Sequence, residues 1–192
     1  MAGVRQFDER LALERALDAF SERGFRATTM LDLAAGTGVQ QGSPYHADGG
    51  KEEIFLRVFG EHSGNFLDGA TTALEQPTKR QALTAFFDYR ISAYTTGEPA
   101  RGSLSTRTAI EAAKDSPKAE AAVKALLTRL ENLVHDKLST MDDDTASPVD
   151  LRTAARLIVT TTCGLAVMER AQYRPDELRA IAETLVTSLF PA

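Results

Sequence analysis

A run of polar side chains between residues 40 and 46 carries the groups in this chain best suited to reading a base pair. The run contains Gln40, Gln41, Ser43, Tyr45 and His46. A glutamine amide can make two hydrogen bonds to adenine in the DNA major groove, and a serine hydroxyl suits a base edge or a phosphate. These residue types predict a contact with double-stranded DNA if a helix presents them together.

The segment before this run predicts two helices. Apolar residues recur at helical spacing from Phe7 to Phe20, and Gly24 is placed to end this first helix. Thr28 or Thr29 would then cap a short second helix over residues 30–35, because a hydroxyl oxygen can accept a hydrogen bond from a free helical N–H.

A glycine-containing turn and two further helices follow. Gly36-Thr37-Gly38 predicts a tight turn, and the polar run itself would lie on a third short helix over about residues 40–47. Lys51-Glu52-Glu53 opens a longer fourth helix to about Leu74. This order of elements, with the motif at about residues 28–47, is that of a helix-turn-helix DNA-binding domain.

The rest of the chain is also predicted to be helical, and no segment shows the alternation of a strand. Prolines at 77, 117, 148 and 175 mark breaks or helix starts. Five further helices are predicted over residues 78–95, 102–114, 117–141, 148–171 and 175–190. The fold class is therefore all-α with about nine helices. Residues 1–50 would form the three-helix DNA-binding domain and residues 51–192 a larger helical domain.

Composition places limits on the function. The chain has 192 residues, a net charge of −5 and ordinary globular proportions of apolar and charged residues. Residues 1–60 hold seven Arg or Lys and nine Asp or Glu, which argues against strong nonspecific DNA binding. The apolar runs look too short for a membrane span, so we expect a cytoplasmic protein without a membrane partner.

Several kinds of chemistry find no support in the sequence. His46, His62 and His135 are scattered, which argues against a metal site, and Cys163 lies in an apolar helical pattern that predicts inert packing. The acidic stretch at 142–144 lacks calcium-ligand spacing and reads as a solvated linker. No nucleophile-base order, phosphate loop or dinucleotide fingerprint appears, so neither an enzyme nor a cofactor is predicted.

Two stretches resemble the TetR family of transcriptional regulators. They read FDERLALERALDAFSERGFRATTMLDLAAGTGV and QGSPYHADGGKEEIFLRVF, and together they span about residues 7–59. The later stretches RGSLSTRTAIEAA and GLAVMERAQYRPDELRAIAETLV are similar to one branch of the family more loosely. The resemblance implies that Gly42 allows close approach to DNA, that Tyr45 and Lys51 contact phosphate, and that Thr28 or Thr29 anchors the second helix to the DNA backbone.

Two residues depart from the family's pattern. Pro44 lies where a leucine is usual, and Asp48 lies where an aromatic residue usually fills the small core. A proline at the fourth position of the third helix would cost ~3 kcal/mol, whereas one at the third position would cost little. We favour a late start for the third helix, with Pro44 at its third position. The alternative function is a helical small-molecule-binding protein whose DNA recognition is impaired or lost.

The resemblance also implies that residues 51–192 form a helical domain for ligand binding and dimerisation, with an effector pocket within the helices from residue 51 to about 171. Aromatic, apolar and a few polar residues there are candidates for binding an unidentified small molecule. The candidates are Phe66, Phe86, Phe87, Tyr89, Arg90, Tyr94, Leu104, Thr108, Leu127 and Met168. Arg107 and Asn132 are further polar candidates. Ordinary core packing is the competing interpretation for each residue, and for Arg90 and Arg107 a solvated or ion-paired side chain is favoured over a ligand contact.

The last two predicted helices carry an apolar stripe that suits a homodimer. Its members are Ile158, Thr162, Ala166, Leu178, Ile181, Leu185 and Leu189. Two such helices from each chain could form a four-helix bundle, and paired DNA-binding domains need a two-fold partner. Packing within one chain is the alternative. Together with these features, the resemblance implies a homodimeric repressor that binds a palindromic operator and is released by a small-molecule effector.

Overall fold

The computed structural model describes residues 9–37, 50–95, 103–112, 116–143 and 146–191. All regular secondary structure in these ranges is α-helical, which confirms the predicted class. The helices are α1 (Glu9–Ala27), α2 (Met30–Thr37), α3 (Gly50–Ala73), α4 (Lys79–Thr95), α5 (Leu104–Ala112), α6 (Pro117–Thr140), α7 (Leu151–Arg170) and α8 (Pro175–Leu189). The helix predicted over residues 40–47 lies outside the described residues.

The first helix is interrupted at Gly24, where it was predicted to end. Helical structure extends to Ala27, but Gly24 itself adopts φ 81° and ψ 168°. A positive φ of this size favours glycine because a side chain would clash with the backbone there. An added Cβ would also meet the Arg107 and Glu111 side chains. The glycine therefore redirects the chain so that Phe25 and Thr28 can enter the interior.

Side-chain caps define most helix starts, and one predicted start was wrong. Ser116 accepts a hydrogen bond from the Ala119 N–H at 3.0 Å just before Pro117, as expected for the α6 start. The helix predicted from Ser147-Pro148 begins instead at Leu151. Its cap is Asp150, whose carboxylate accepts a hydrogen bond from the Thr153 N–H at 2.9 Å. Pro148 was a weaker signal for the helix start than Asp150, because a carboxylate cap satisfies a free helical N–H directly.

The acidic stretch is not simply a solvated linker. The Asp143 side chain is only 11% exposed, and its Oδ1 lies 3.0 Å from Lys79 Nζ. Its Oδ2 also accepts a hydrogen bond from the Lys79 backbone N–H at 2.6 Å. Asp143 thus satisfies one of the free donors at the start of α4 and neutralises a mostly buried ammonium group.

The chain divides into two compact units, each built from separate stretches of sequence. The first comprises residues 1–63 and 107–123, and the second comprises residues 64–106 and 124–192. Three helices, α3, α5 and α6, continue from one unit into the other.

Four phenylalanines form the aromatic core of the first unit. Phe55 of α3 lies 5.2 Å from Phe20 and 4.9 Å from Phe25, measured between ring centroids, and both pairs meet edge to face. Phe59 stacks on Phe55 at 5.4 Å. All four rings are buried, so this cluster fastens the start of α3 to α1.

The second unit is centred on α4, which packs against both α7 and α8. Leu83, Phe86 and Phe87 are buried on α4, and Ala154, Ala155 and Ile158 are buried on α7. Small residues on α7 allow the backbones to approach closely while the α4 rings fill the space between them.

Helix α7 is long and apolar enough to cross a membrane, contrary to the expectation from apolar run lengths. Its 18-residue window has a mean hydropathy of 1.2. The helix also carries Arg152 and Arg156 in ion pairs with Glu131, and eight of its residues are buried against their own chain. These contacts are those of a core helix.

The aromatic core gives a first prediction. Replacing Phe55 with Ala should lower the free energy of unfolding by ~3–5 kcal/mol, because it leaves a cavity between three other rings. Denaturant unfolding followed by far-UV circular dichroism measures this loss. Leu31→Ala is the matched control because Leu31 is 77% exposed, and its change should stay within ~0.5 kcal/mol. Equal losses in the two variants would contradict the assignment of the core.

Candidate functional site

The predicted base-contacting residues lie in the segment that joins α2 to α3, which we call the reading segment (residues 38–49). Gln40, Gln41, Gly42, Ser43, Tyr45 and His46 all fall outside the described residues, as do Pro44 and Asp48. The structure describes the helices on both sides of the segment. It places three of the predicted DNA-contacting residues: Thr28, Thr29 and Lys51.

Thr29 and Asp32 cap the start of α2 reciprocally. Thr29 Oγ1 accepts a hydrogen bond from the Asp32 N–H at 3.1 Å, while Asp32 Oδ2 accepts one from the Thr29 N–H at 2.9 Å. Arg23 pairs with the other carboxylate oxygen. The hydrogen bonds from Thr29, with the Arg23 charge adding to them, hold the pKa of Asp32 below its usual value. This arrangement is a capping box, and it leaves Thr29 exposed beside the helix N-terminus.

Thr28 is placed differently from Thr29. Its side chain is fully buried, and its hydroxyl donates to the Gly24 carbonyl at 2.7 Å. The Ala19 carbonyl lies 3.3 Å from the same hydroxyl. Both acceptors belong to α1, so the Thr28 hydroxyl joins the kinked end of that helix to the start of α2. Of the two threonines, Thr29 is the one whose surface is available to a partner.

Lys51 lies at the start of α3 and reaches back to α1. Its ammonium group is 4.8 Å from the centroid of the Phe25 ring and donates to the Arg26 carbonyl at 3.3 Å. A cation at a helix C-terminus is favourable because the carbonyl ends of the helix carry partial negative charge. The side chain remains partly exposed, which leaves part of the ammonium group for an external anion.

Arg107 of α5 makes a contact in the first unit that sequence reasoning missed. Its guanidinium Nη1 donates to the carbonyls of Ser21 (3.0 Å) and Glu22 (2.6 Å), near the end of α1. Its Nε pairs with Glu111 at 2.7 Å. The ion pair had a sequence signal, since Arg107 and Glu111 are four residues apart on one helix. The contact with α1 had none, because 85 residues separate the partners.

The effector candidates occupy both units, and most of them are buried. Phe66, Phe86, Phe87, Arg90, Tyr94 and Leu104 are buried in the second unit, where Tyr89, Leu127 and Met168 are partly exposed. Thr108 is buried in the first unit, and Asn132 is exposed and accepts a hydrogen bond from Arg152. Four candidates come together, and we call them the Arg90 cluster (Phe66, Tyr89, Arg90 and Tyr94).

Aromatic rings surround the guanidinium group of Arg90. Its Cζ lies 4.0 Å from the Phe66 centroid, 4.6 Å from that of Tyr94 and 5.9 Å from that of Tyr89. Phe66 and Tyr89 stack nearly parallel at 6.4 Å. The Tyr89 ring lies directly on the backbone of Gly69, where a Cβ would collide with it. The absence of a side chain at residue 69 thus lets α3 and α4 approach each other at this cluster.

A chain of hydrogen bonds leads from Arg90 to α7. Arg90 donates to the Tyr94 hydroxyl oxygen from Nε at 3.2 Å and from Nη2 at 2.9 Å. The Tyr94 hydroxyl in turn donates to the Thr162 carbonyl at 3.0 Å. Burial raises the pKa of Tyr94, which keeps the hydroxyl protonated and able to donate. Burial likewise raises the pKa of the Cys163 thiol, in agreement with its interpretation as an inert residue.

A groove between α4 and α8 was not predicted. It has a volume of about 290 Å³, with buried Phe87, Ile91 and Val186 among its lining residues. Arg179 and Asp88 form an ion pair at 3.0 Å beside it. Its lining residues come from two helices more than 80 residues apart, so periodicity within either helix gave no signal for it.

Five of the seven predicted dimer residues are buried by their own chain. They are Ile158, Thr162, Ala166, Leu178 and Leu189, whereas Leu185 is partly exposed and Ile181 is 36% exposed. The surfaces left exposed on α7 and α8 lie beside the predicted stripe. We call Leu157, Gly164, Val167 and Ile181 the outer face, of which Leu157 and Val167 are 41% and 48% exposed.

Comparison with known proteins identifies the N-terminal region. Residues 12–58 match the family described as bacterial regulatory proteins, tetR family. YezE of Bacillus subtilis, an uncharacterized HTH-type transcriptional regulator, is 29% identical over 122 residues, which are 61% of each chain. The HTH-type transcriptional repressor KstR2 of Mycobacterium tuberculosis is 52% identical over 42 residues, 22% of this chain and 21% of KstR2. The chain thus matches less than two thirds of the length of these curated relatives.

The fold likeness extends over almost the whole chain. A cysteine variant of the TetR family transcriptional regulator CifR, solved with 26-bp double-strand operator DNA, has a TM-score of 0.85 and 25% sequence identity. The match covers 98% of this chain and 100% of the CifR chain. The region matched by the family model therefore lies within a fold that is similar to that of CifR over almost its whole length.

The capping box gives a prediction for pH dependence. Because the folded pKa of Asp32 is lowered, its contribution to stability should be full above the unfolded pKa of about 4 and should be lost as pH falls through the folded value. Asp32→Asn should therefore lower the melting temperature near neutral pH, and its difference from wild type should shrink as pH falls below about 4. Asp68→Asn, on the exposed surface of α3, controls for loss of one negative charge. A difference that stays constant with pH would count against the charged cap.

Proposed function

We propose that this chain, whose residues 12–58 match the bacterial regulatory proteins of the tetR family, is a homodimeric transcriptional repressor that binds a near-palindromic operator and is released by a small-molecule effector. The observation that carries the proposal is the family match over residues 12–58, within which α1, the capped start of α2 and the start of α3 are fixed around one aromatic core. An operator-binding protein of similar fold, CifR, supports it.

The reading segment would supply the base contacts. We assign base-edge contacts to Gln40, Gln41, Ser43 and His46, and close backbone approach to Gly42. Thr29, which is exposed, and Lys51, which is partly exposed, would contact phosphate, and so would Tyr45 of the reading segment. The Thr28 hydroxyl instead serves the internal link described above. Two such segments in a dimer would enter successive major grooves about 34 Å apart. The excess of acidic residues in the first 60 residues should keep nonspecific binding weak.

The effector would act on helices that belong to both units. We propose that a ligand bound in the second unit alters α3 or α5, both of which continue into the first unit. On α5, Arg107 holds the carbonyls of Ser21 and Glu22 and so fastens that helix to α1. A coupling free energy of ~1–3 kcal/mol between effector and operator is enough for a useful response.

The outer face is the proposed dimer surface. Leu157, Val167 and Ile181 are large apolar side chains that remain exposed on α7 and α8, and Gly164 allows close helix approach between them. Exposed apolar surface of this kind is typical of a protein interface. Of the predicted stripe, Ile181 belongs to the outer face and Leu185 is partly exposed, while the other five members are buried. As a regulator acting on DNA, the protein would work in the cytoplasm.

The DNA-binding proposal is tested first by selection from a randomised duplex pool with purified wild-type protein at low and moderate salt. We expect enrichment of a palindromic site whose affinity falls steeply with salt. The double variant Gln41→Ala/Tyr45→Ala should then lose ~2–5 kcal/mol of operator binding, since base-edge and phosphate contacts are both removed.

The matched control is Gln76→Ala/Tyr173→Ala, which removes the same two side-chain types at exposed positions of the second unit. It should bind the selected operator like wild type. If a folded dimer enriches no site, the chain is better described by the alternative, a ligand-binding protein without DNA recognition. Unchanged operator affinity in Gln41→Ala/Tyr45→Ala would place the base contacts elsewhere.

The dimer proposal predicts that Val167→Glu yields a monomer. In a two-fold interface the new carboxylate would be buried and would approach its own copy, at a cost of ~2–5 kcal/mol or more. Light scattering coupled to size-exclusion chromatography measures the mass, and circular dichroism checks the fold. Ala125→Glu adds the same charge at an exposed position of α6 and should remain dimeric. A dimer that persists in Val167→Glu would exclude this surface.

A further inference from the structure

Arg90 is a buried cation without a carboxylate partner among the described residues. The residue is 8% exposed. Three of the more exposed arginines of the same unit, Arg152, Arg156 and Arg179, pair with acidic side chains. A buried arginine is usually the better paired one, because a charge that is removed from water needs a counter-charge more than an exposed charge does.

The contacts of Arg90 satisfy only part of its guanidinium group. Nε and Nη2 share one acceptor, the Tyr94 hydroxyl oxygen, and that hydroxyl uses its own proton to bond the Thr162 carbonyl. Nη1 makes no hydrogen bond within the described part of the chain. The aromatic faces of Phe66 and Tyr94 attract the cation but accept no strong hydrogen bond. A neutral phenol oxygen is therefore the main hydrogen-bond acceptor for a group that can donate five hydrogen bonds.

We propose that Arg90 is the receptor for the carboxylate of an organic acid, and that the effector is a carboxylate with an apolar body. This rests on the proposed ligand-responsive function. The planar guanidinium group matches a carboxylate through two parallel N–H···O bonds, which a hydroxyl oxygen cannot provide. The rings of Phe66, Tyr89 and Tyr94 offer apolar surface to the rest of such a ligand. Because the site is largely screened from water, the charge pairing is strong there.

The same geometry connects ligand binding to α7. A carboxylate on Arg90 competes with the Tyr94 hydroxyl for the Nη2 and Nε donors. Tyr94 is the residue that joins α4 to the Thr162 carbonyl of α7, so its environment changes whenever the guanidinium group exchanges partners. Helix α7 also carries Leu157 and Val167 of the outer face, so an event at Arg90 reaches the proposed dimer surface through one hydrogen-bonded side chain.

Tyrosine emission and the melting temperature report binding without any need for DNA. The chain has no tryptophan and four tyrosines, two of which touch Arg90. The probes are 4-phenylbutyrate and octanoate, each titrated beside its neutral primary amide. We expect both carboxylates to change the emission and raise the melting temperature, with at least ~10-fold weaker binding of the amides, because an amide cannot form the charged pair.

Variants separate a receptor from a structural arginine. Arg90→Met keeps the length of the side chain and removes the charge, so it should abolish carboxylate binding. It should leave the melting temperature of the free protein equal to or above that of wild type, because a charge without a counter-charge is removed from the interior. Arg90→Lys should bind the carboxylates at least ~10-fold more weakly, since an ammonium group lacks the two parallel N–H donors of the planar guanidinium group. Arg156→Met, an exposed matched control, should bind like wild type.

The outcomes distinguish this inference from the proposed function. Carboxylate binding lost in Arg90→Met supports the inference, whether or not an operator is enriched from the duplex pool. Operator enrichment together with equal binding of acids and amides, or with no binding of either, overturns the inference and leaves the DNA-binding proposal intact. A melting temperature that falls in Arg90→Met, with carboxylate binding unchanged, would make Arg90 a structural residue and also overturn it.

Discussion

The packing of Phe55 against Phe20 and Phe25 is the constraint on which the first unit depends. It fastens α1 to the start of α3, and these helices flank α2 and the reading segment in sequence. Helix α2 has eight residues, too few to be stable alone, so its position must come from its surroundings. The left-handed backbone at Gly24 makes this possible, because it turns the chain so that Phe25 enters the core and Thr28 bonds back to α1. The two ends of the reading segment are thus positioned by apolar packing and a cap outside it.

The contacts at the end of α1 make that unit sensitive to more than its own core. Lys51 and Arg107, which lie far apart in sequence, both donate to carbonyl groups near the end of α1. Such hydrogen bonds are directional and are lost when donor and acceptor separate by about 1 Å. Since α5 begins in the second unit and carries Arg107 in the first, a small movement of this helix would change the support of α1 without disturbing the aromatic core. The proposed regulatory function would need a contact of this kind, whose energy can differ between two states while the fold persists.

Local signals in the sequence predicted most of the helices, because caps, prolines and helical periodicity act over a few residues. Ser116-Pro117 marks the α6 start correctly, whereas Asp150 supersedes Ser147-Pro148 at α7 because a carboxylate cap outweighs a proline that merely tolerates the first position. The face that a helix buries was harder to predict. Helix α7 is apolar on more than one side, so periodicity selected Ile158 when its neighbour Leu157 is the exposed residue. Long-range polar pairs such as Asp143 with Lys79 had no local signal, since tertiary structure alone brings them together.

Arg90 shows how a site can be recognised when its ligand chemistry is absent from any sequence motif. The sequence favoured a solvated or ion-paired arginine. The Arg90 side chain is instead buried, and no acidic side chain among the described residues pairs with it. A methionine would fill the same space and avoid the cost of burying a charge, so stability alone does not favour arginine here. What arginine adds is a cation already held in position by the Phe66 and Tyr94 rings, which lowers the ordering cost of binding an anion. The buried charge would lower the stability of the free protein, but it would raise the affinity for carboxylates and the specificity for acids over their neutral analogues. Because Tyr94 connects the same guanidinium group to α7, the group proposed to bind the ligand is also hydrogen-bonded, through Tyr94, to the helix that carries the proposed dimer surface.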